Sequence, residues 1–292
     1  MISIIITAYK EEKTIKKAIV KILENKIKEK HEILVLAPDK ETLGVAKQLL
    51  KKHNQIVVIQ DKGTGKPEAL NLAFKKAKGD ILILTDGDVY ISENSISLIL
   101  DAFENKKIGA VSGRPVSLNS KKNMLGFWSY LLSETAHYRR KKALQLKKRF
   151  YCSGYLYAIR AGIIKKIPSE TLSEVGFISH LIYSKKYKVD YVPEAEVYVK
   201  YPLNFKDWII QKRRSAGGYN QIKLWTKIEI RSFSKESYGA LQVFKYPQNL
   251  REFLYTFILI MARIYLWMLI FIDINIKKKK LKKVWLRVES TK

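Results

Sequence analysis

Two aspartates separated by one glycine stand directly after an apolar segment in the first third of the sequence. Residues 80–85 read Asp-Ile-Leu-Ile-Leu-Thr, and Asp86, Gly87 and Asp88 follow them. In open α/β sheets, ligands bind at the carboxyl ends of strands, and two acids placed there can hold a divalent cation against a diphosphate. Gly87 would let the backbone turn so that both acids reach one site. A solvated turn is the alternative, and the position after an apolar strand favours the cation site.

A second segment suited to phosphate binding is 62–71, which carries two glycines and two lysines between a predicted strand and a predicted helix. Such a junction offers backbone N–H groups and positive charge to a phosphate. The segment is not a Walker A loop, because Pro67 follows Lys66 where Ser or Thr is required. An ordinary turn with Pro67 in the first helical turn explains the pattern equally well.

A third candidate is the basic segment 211–214, Gln-Lys-Arg-Arg, in a predicted amphipathic helix. Gln211 and Arg214 are three residues apart and therefore share one helix face. An arginine close to an acidic cation site could bind a departing diphosphate. The alternative is a basic helix face in contact with solvent, which is the usual explanation of such a run when it is read alone.

The elements that must position these residues alternate regularly up to about residue 115. Apolar periodicity predicts strands at 1–7, 32–37, 55–60, 80–85 and 109–113, and helices at 11–29, 42–53, 67–78 and 92–105. Strands alternating with helices of this length imply right-handed crossovers and a mostly parallel sheet covered by helices on both faces. The fold class is therefore α/β, with a first half of the nucleotide-binding type.

Beyond residue 115 the alternation weakens. The pattern predicts helices at 124–148, 174–185 and 205–216, and strands at 150–160 and 188–192. We expect one domain over 1–220, with a nucleotide-binding half at 1–115 and a second half at 116–220. The remainder, 221–292, is predicted to be a membrane-associating helix with a basic tail.

The membrane prediction rests on residues 253–272, which are apolar except for Thr256 and Arg263. Twenty residues just cross a bilayer core of roughly 30 Å. Arg263 near the middle would cost about 2.5–3.5 kcal/mol in lipid. The lysine cluster 277–283 also argues for a cytoplasmic end. Together these features favour an interfacial or re-entrant helix over a clean span, and a buried core helix is the third reading.

Composition narrows the classes of partner and metal. The chain has 292 residues, 55 Lys and Arg against 27 Asp and Glu, and a formal charge of +28. A single cysteine excludes a disulfide framework, and four scattered histidines leave no zinc-ligand spacing. Any metal should be a hard cation on carboxylates. The charge alone fits nucleic acid, an anionic lipid surface or phosphate-bearing substrates equally well.

Taken together, six segments resemble family 2 glycosyltransferases, and they occur in the family's order. They are the first-strand segment 4–12, the Gly-Lys-x-x-Ala-Leu-Asn segment 65–71, the Asp-x-Asp segment 86–88, the Ser-Gly segment 153–160, Pro-Glu-Ala at 193–195, and Gln-x-x-Arg at 211–214. The resemblance spans about residues 1–218. Each motif is weak alone, and the ordered series is specific.

The resemblance implies a GT-A fold and an inverting transfer from a nucleotide-diphosphate sugar, assisted by Mg²⁺ or Mn²⁺. It makes 1–220 a catalytic domain with a nucleotide-sugar-binding half at 1–115 and an acceptor half at 116–220. With the apolar run 253–272 and the basic tail, we expect a lipid-linked or glycan acceptor, contact with a membrane surface, and a catalytic domain that faces the cytoplasm at the cell membrane. The ordered acidic motifs favour no nucleic acid as a partner. Glu174, Gln211 and Arg214 are the implied catalytic residues. The implied donor-binding residues are Thr7, Tyr9, Glu11, Asp39, Lys66 and Asp86, and the implied cation ligands are Asp86 and Asp88.

Three positions depart from the family pattern. Asp39 is the acid available after the second strand, displaced by about one residue from its usual place. Val175 stands where the family has the aspartate that acts as general base, and we expect Glu174 to replace it. The alternatives are that the acceptor is activated otherwise or that activity is lost. Ser215 replaces the tryptophan that often follows Gln-x-x-Arg, which weakens the analogy with processive polysaccharide synthases.

Three other classes of function are alternatives to a glycosyltransferase. A nucleotidyltransferase acting on a sugar phosphate would need a glycine-rich loop after the first strand, and residues 8–12 contain no glycine. A nucleic-acid binder gives no reason for the ordered acidic motifs. A catalytically inactive family member is a further alternative because of Val175.

Overall fold

Parallel strands at the start of the chain bring the predicted acidic residues to one edge of a central sheet. The computed structural model describes residues 1–228, 240–273 and 290–291. Its strands are β1 Ile2–Thr7, β2 His31–Ala37, β3 Ile56–Gln60, β4 Ile81–Asp86, β5 Val89–Ile91, β6 Ile108–Ser117, β7 Leu156–Arg160 and β8 Lys188–Val199. Its helices are α1 Ile15–Leu23, α2 Lys40–Leu50, α3 Lys66–Lys76, α4 Ser95–Ala102, α5 Met124–Gln145, α6 Glu174–Ser184, α7 Phe205–Thr226 and α8 Leu250–Phe271, with a 3₁₀ helix at Ala240–Lys245.

In the described part of the chain, the sheet has the strand order β3-β2-β1-β4-β7-β6-β8-β5. Strands β1 to β4 are parallel to one another, as the alternating pattern predicts. The second half is mixed, because β7 runs antiparallel to both β4 and β6, and β5 antiparallel to β8. The sheet is thus a mixed α/β sheet whose parallel half carries the predicted donor-binding residues.

The first strands form because their side chains are apolar on both faces and both faces are covered. Every residue of β1 is buried. Ile4 and Ile6 join the hydrophobic cluster that includes α1, whereas Ile5 between them joins the cluster that includes α6. Side chains alternate across a strand, so a strand packed between two helical layers must be apolar at successive positions.

Several predicted boundaries are wrong, and the structure gives the reasons. The strand predicted at 150–160 begins only at Leu156, because upstream N–H groups bond to side chains instead of a neighbouring strand. Cys152 N donates to Ser179 Oγ at 3.1 Å, and Ser153 N donates to Ser112 Oγ at 2.9 Å. The strand predicted at 188–192 extends to Val199, where it pairs with β6 and with β5, a short strand that the sequence pattern did not reveal.

Helix α7 continues about three turns beyond the predicted end at residue 216 and passes through residue 220, the predicted end of the catalytic domain. Gly217 and Gly218 lie within α7, which continues through both. At these glycines α7 packs closely on the loop before α6. A Cβ atom on Gly218 would lie 2.5 Å from the Cβ atom of Ser173. The glycine is therefore required for close approach between these two segments.

The motif residue Asn71 has a structural role. Its side chain is buried in α3, where Oδ1 accepts a hydrogen bond from Ile167 N and Nδ2 donates one to Ile167 O, both at 2.8 Å. The amide therefore uses both its donor and its acceptor on the backbone of one residue. It therefore fixes α3 relative to the chain segment that leads into α6.

The C-terminal helix α8 lies against the catalytic core. Thr256, Leu259, Ala262, Leu266 and Ile270 form its buried face, which packs on α5 and α7. A side-chain contact fixes the position, since Trp128 Nε1 in α5 donates to Tyr255 O at 2.7 Å. Among the described residues, α8 alone is long and apolar enough to cross a membrane, with a mean hydropathy of 2.0. The lysine cluster 277–283 lies outside the described residues.

Candidate active site

The acidic pair occupies the carboxyl edge of the parallel strands. Asp86 is the last residue of β4, and Asp88 lies in the tight turn between β4 and β5. Thr7, the last residue of β1, pairs with Asp86 across the sheet, and its Oγ1 atom donates to Asp86 Oδ1 at 3.3 Å. The position matches the expected ligand site of an open α/β sheet.

Lys66 joins the acidic pair to the acceptor half of the chain. Its Nζ atom lies 2.6 Å from Asp86 Oδ1 and 3.2 Å from Glu174 Oε1. The three side chains are only 15–25% exposed, so the contact is largely shielded from water. Lys66 opens α3 directly after Gly65, whose φ of 118° is a conformation that glycine adopts and other residues rarely do.

The charged groups of this cluster shift one another's pKa values. Burial works to lower the pKa of Lys66, but the neighbouring carboxylates of Asp86 and Glu174 outweigh burial and raise it well above its usual value. Burial raises the pKa of Asp86, and Asp88 adds to this, while Lys66 acts in the opposite direction. The ammonium group therefore stays protonated and compensates the carboxylates that share its site.

Gly87 is required by space rather than by backbone torsion, which corrects the expectation from sequence. Its φ angle is not in the left-handed region. A Cβ atom at this position would lie 2.4 Å from Glu11 Oε2 and 2.9 Å from Ala8 Cβ. The glycine thus lets the loop after β1 approach the turn that carries Asp86 and Asp88.

Asp39 stands apart from the other predicted site residues. It caps the N-terminus of α2, where Oδ1 accepts from Thr42 N at 2.9 Å and Oδ2 accepts from Lys10 N at 2.8 Å. Burial favours a raised pKa, but these hydrogen bonds outweigh it and lower the pKa of Asp39. The side chain connects the loop after β1 to α2, and its contact with a nucleobase stays a prediction.

The remaining predicted residues line one cavity of about 1100 Å³. They are Thr7, Tyr9, Glu11, Lys66, Asp86, Asp88, Glu174, Gln211 and Arg214. The cavity begins at the carboxyl edge of the parallel strands and continues to a wall built from α5, α7 and α8. Gln211 Oε1 is buried in this wall without a hydrogen-bond partner among the described residues.

The wall beside Glu174 is apolar. Val175 lines the cavity next to Glu174, and a Cβ atom on Gly154 would lie 3.4 Å from Val175 Cγ1. Val175 therefore packs against the Ser-Gly segment, and Glu174 is the residue of this pair that supplies a carboxylate. That Glu174 acts as the general base stays a prediction.

Trp208 and Arg140 are among the residues of the cavity wall that sequence reasoning missed. Trp208 in α7 is 3% exposed and stacks on Phe205, with ring centroids 5.8 Å apart. Arg140 in α5 belongs to a basic run that resembles a solvated helix face, yet its Nη1 atom is buried. For Trp208 the available signal was its position three residues before Gln211, on the same helix face.

The acids present fit a divalent cation that is shared with a substrate. Among the residues that the structure describes, no group of three or more His, Cys, Asp and Glu side chains could hold a metal alone. Mg²⁺ commonly takes one or two carboxylates and completes its shell with water and substrate phosphates. Asp86 and Asp88 provide that kind of partial site.

Fold and site together define an α/β enzyme that works at the carboxyl edge of a parallel half-sheet. The model of the family described as "Glycosyltransferase like family 2" matches residues 1–218. The chain therefore belongs to this glycosyltransferase family, as the ordered motifs predict.

Individual relatives and a solved structure agree with this assignment. The chain is 26% identical to the probable glycosyltransferase YdaM of Bacillus subtilis over 76% of its own length and 56% of that protein. It is 23% identical to a poly-beta-1,6-N-acetyl-D-glucosamine synthase of Staphylococcus epidermidis over 80% of its length and 58% of the relative. The chain thus spans a little over half the length of these relatives.

The structure of S. aureus TarS 1-349 in complex with UDP is similar in fold. The TM-score is 0.51 at 16% identity, covering 75% of this chain and 65% of TarS 1-349. At this identity the likeness concerns the fold, which is the GT-A type of α/β sheet flanked by helices that the sequence predicts.

Replacing Lys66 by Met should destabilise the fold in a pH-dependent way. At about pH 7 the variant leaves Asp86 and Glu174 ionised, buried and uncompensated, and we expect the free energy of unfolding to fall by about 3 kcal/mol. Without the ammonium group, the pKa of Asp86 in the folded state lies further above its unfolded value. Folding of the variant then takes up a proton. The difference in free energy of unfolding between wild type and variant should therefore shrink as the pH is lowered toward about 5.

Urea titrations of wild type and variant at both pH values measure this difference. Lys62→Met, at an exposed position in the same segment and outside the cavity wall, is the matched control. A deficit that is equal at both pH values, or equal in the two variants, would contradict the compensating role of Lys66.

Proposed function

We propose that this glycosyltransferase moves a sugar from a nucleotide-diphosphate donor to the hydroxyl of a membrane-borne acceptor, with inversion at the sugar carbon. The observation that supports it is the arrangement around Lys66, which places the acids after β4 and Glu174 of α6 in one cavity with Arg214. Donor-side and acceptor-side residues therefore meet at a single point.

UDP-linked N-acetylglucosamine is the first donor to test. The related S. aureus TarS was solved with UDP, and the staphylococcal relative is named for N-acetyl-D-glucosamine. In this chain, Thr7, Tyr9 and Glu11 line the cavity at the end of β1, where the nucleotide part of a donor is expected to bind.

The proposed chemistry is a single displacement. Glu174 accepts the proton of the acceptor hydroxyl, the hydroxyl oxygen bonds to the anomeric carbon, and the bond from that carbon to the diphosphate breaks. One displacement inverts the configuration and needs no covalent intermediate. Lys66 and Arg214 lie in the same cavity and stabilise the negative charge that develops on the leaving group.

A divalent cation, Mg²⁺ or Mn²⁺, would be held by Asp88 and Asp86 together with the diphosphate. When bound, it supplies charge that assists departure of the nucleotide diphosphate. Lys66 already compensates part of the charge on Asp86, so Asp88 is the residue whose carboxylate we assign chiefly to the cation.

Asp88→Asn should remove the cation-dependent part of donor binding. A ligand that binds only the folded state raises the melting temperature, so wild type should show a larger shift with UDP-N-acetylglucosamine plus Mn²⁺ than with the sugar nucleotide alone. The variant should lose that difference. Thermal-shift assays measure it, and Asp101→Asn at an exposed position in α4 is the control. Equal cation-dependent shifts in the Asp88 variant and wild type would remove Asp88 from the cation site.

We further propose that α8 lies in the plane of a membrane interface, with the catalytic domain on the cytoplasmic side. Its outward face carries a continuous stripe of exposed apolar side chains: Leu250, Phe253, Leu254, Phe257, Met261, Ile264, Tyr265, Met268 and Phe271. Its opposite face packs on α5 and α7 along much of the helix. A helix that is apolar on its exposed face and packed against the protein on its other face suits the boundary between headgroups and acyl chains.

The cavity explains an arginine in the middle of this apolar helix. Arg263 is half-buried and lines the cavity rather than the exposed stripe. An interfacial helix in this orientation keeps the guanidinium group out of lipid and avoids the cost expected for a membrane span.

Charges placed on the exposed stripe should release the protein from membranes. Phe257 and Met261 are each about half exposed, and replacing both by Glu removes two apolar side chains from lipid. Each of these side chains contributes about 1.5–3 kcal/mol to membrane binding when it is buried in lipid. The affinity for membranes should therefore fall by more than about tenfold. Co-flotation with vesicles containing about 30% phosphatidylglycerol measures the change.

The matched control for this experiment carries the same charge change at two exposed apolar residues elsewhere, Val57 and Leu118. The control variant should bind vesicles as wild type does. Equal loss of flotation in both double variants would show that net charge, not the face of α8, governs membrane binding.

A further inference from the structure

Tyr157 in β7 carries a buried hydroxyl group beside the active site. Its side chain is 1% exposed, and its Oη atom has no hydrogen-bond partner among the described residues. A buried hydroxyl without a partner costs free energy, and a phenylalanine would fill the same space without that cost. A partner that becomes available in another state of the protein would remove the cost.

The sheet fixes the direction of this side chain. Tyr157 pairs with Leu84 on the neighbouring antiparallel strand β4, and directly opposed residues of such a pair point to the same face of the sheet. Asp86 stands two residues after Leu84, so its side chain leaves β4 on that face as well. The Tyr157 ring and the Asp86 carboxylate therefore lie on the same side of the sheet.

The helices that begin with Lys66 and Glu174 pack on that face. Leu70 of α3 and Ile178 of α6 belong to the same hydrophobic cluster as Tyr157. Each stands four residues after the charged residue that opens its helix, one turn deeper on the same helix face. The ring is thus packed in the core below the ion pair of Lys66 and Glu174, behind the cavity wall.

The charged groups above the ring act on the hydroxyl. Burial raises the pKa of Tyr157 well above its usual value, Lys66 acts in the opposite direction, and Glu174 and then Asp86 add to the rise. The hydroxyl therefore stays protonated and can donate a hydrogen bond. Glu174 has the larger effect of the two carboxylates, which makes it the acceptor that we expect.

Lys66 contacts Glu174 in the structure, but this contact is the longer of its two. The Nζ atom lies 2.6 Å from Asp86 Oδ1 and 3.2 Å from Glu174 Oε1. A diphosphate bound in the cavity would add negative charge close to the ammonium group and compete for it. The longer contact should yield first, and Glu174 would then need another hydrogen-bond donor.

We propose that Tyr157 is a positioning residue, whose hydroxyl donates a hydrogen bond to the Glu174 carboxylate when a diphosphate has drawn Lys66 away. This inference rests on the proposed glycosyl transfer and adds a residue to that same site. The new bond is charge-assisted and holds the carboxylate in place while it accepts the proton of the acceptor hydroxyl. Tyr157 acts through Glu174 and contacts neither substrate.

Tyr157→Phe should change stability and donor binding in opposite directions. The free variant lacks the unsatisfied hydroxyl, so its melting temperature should be equal to that of wild type or higher. Its affinity for UDP with Mn²⁺ should fall about tenfold, because the hydroxyl gains its partner only when the diphosphate is bound. Thermal unfolding of the free protein and calorimetric titration with UDP measure the two effects.

Tyr183→Phe is the matched control, since this hydroxyl already has partners in the free protein. The hydroxyl donates to Phe150 O at 2.9 Å and accepts from Phe150 N at 3.1 Å. The control variant should have a lower melting temperature than wild type and the same affinity for UDP. A purely structural tyrosine therefore gives the reverse of the pattern expected at Tyr157.

A second pair of variants identifies the acceptor of the hydrogen bond. Glu174→Leu has no carboxylate at this position, so the hydroxyl has nothing to bind there when the diphosphate is present. Adding Tyr157→Phe to this variant should therefore leave its affinity for UDP unchanged, whereas the same change in wild type weakens it.

Three results would overturn the assignment: a Tyr157→Phe variant with the UDP affinity of wild type, a free variant that is less stable than wild type, or equal weakening by Tyr157→Phe in wild type and in Glu174→Leu. Failure of wild type to bind UDP with Mn²⁺ or Mg²⁺ would instead contradict the proposed glycosyl transfer. The two failures are therefore distinguishable.

Discussion

A single ammonium group holds the two halves of the active site together. Lys66 contacts Asp86 at the end of β4 and Glu174 at the start of α6, two residues far apart in sequence. Ion pairs of this kind are expensive to desolvate and costly to break on one side only. Charged groups held together in a cavity wall are typical of functional sites, and here three of them are held at fixed positions.

The neighbouring packing serves the same arrangement. Gly87 has no side chain, so the loop after β1 can approach the turn that carries Asp86 and Asp88. Asn71 connects α3 by two hydrogen bonds to the segment that leads into α6. The helix that begins with Lys66 and the helix that begins with Glu174 are thereby fixed relative to β4. These contacts set the distance between the acid of the donor side and the carboxylate of the acceptor side.

Helices α7 and α8 extend the site toward the proposed membrane surface. Arg213, next to the motif residue Arg214, forms an ion pair with Asp273 just beyond the end of α8. The helix that carries Gln211 and Arg214 is therefore bound directly to the helix whose outer face is apolar. In this account, one helix provides both the membrane contact and part of the acceptor cavity, so the acceptor does not have to leave the lipid surface to reach the sugar.

Much of the donor side could be predicted from the sequence because its elements are local and periodic. The apolar run before Asp86 predicts a buried strand, and parallel strands necessarily bring Thr7 and Asp86 to the same edge. The antiparallel β7 and the short β5 were beyond such reasoning, because their pairing depends on distant segments. Arg140 was missed for a related reason: only the tertiary packing of α5 shows that part of its guanidinium group is buried.

The change at Val175 makes Glu174 the decisive residue. A family member that has lost activity would keep the fold and the Lys66 cluster, and Glu174 would then serve only as an ion-pair partner of Lys66. In the proposed reaction Glu174 accepts the proton, and its Oε1 atom lies 3.2 Å from Lys66 Nζ beside the cavity. Gln at position 174 can still accept a hydrogen bond from the Lys66 ammonium group, so it removes the base while preserving the contact.

The most direct measurement is therefore the transfer of labelled sugar from UDP-N-acetylglucosamine into the organic-solvent extract of membranes by wild type, Glu174→Gln and the exposed control Glu170→Gln, with UDP binding measured in parallel. The account predicts that all three bind UDP alike and that only the Glu174 variant loses transfer, by about a hundredfold or more. Transfer by Glu174→Gln at the rate of the control would contradict it.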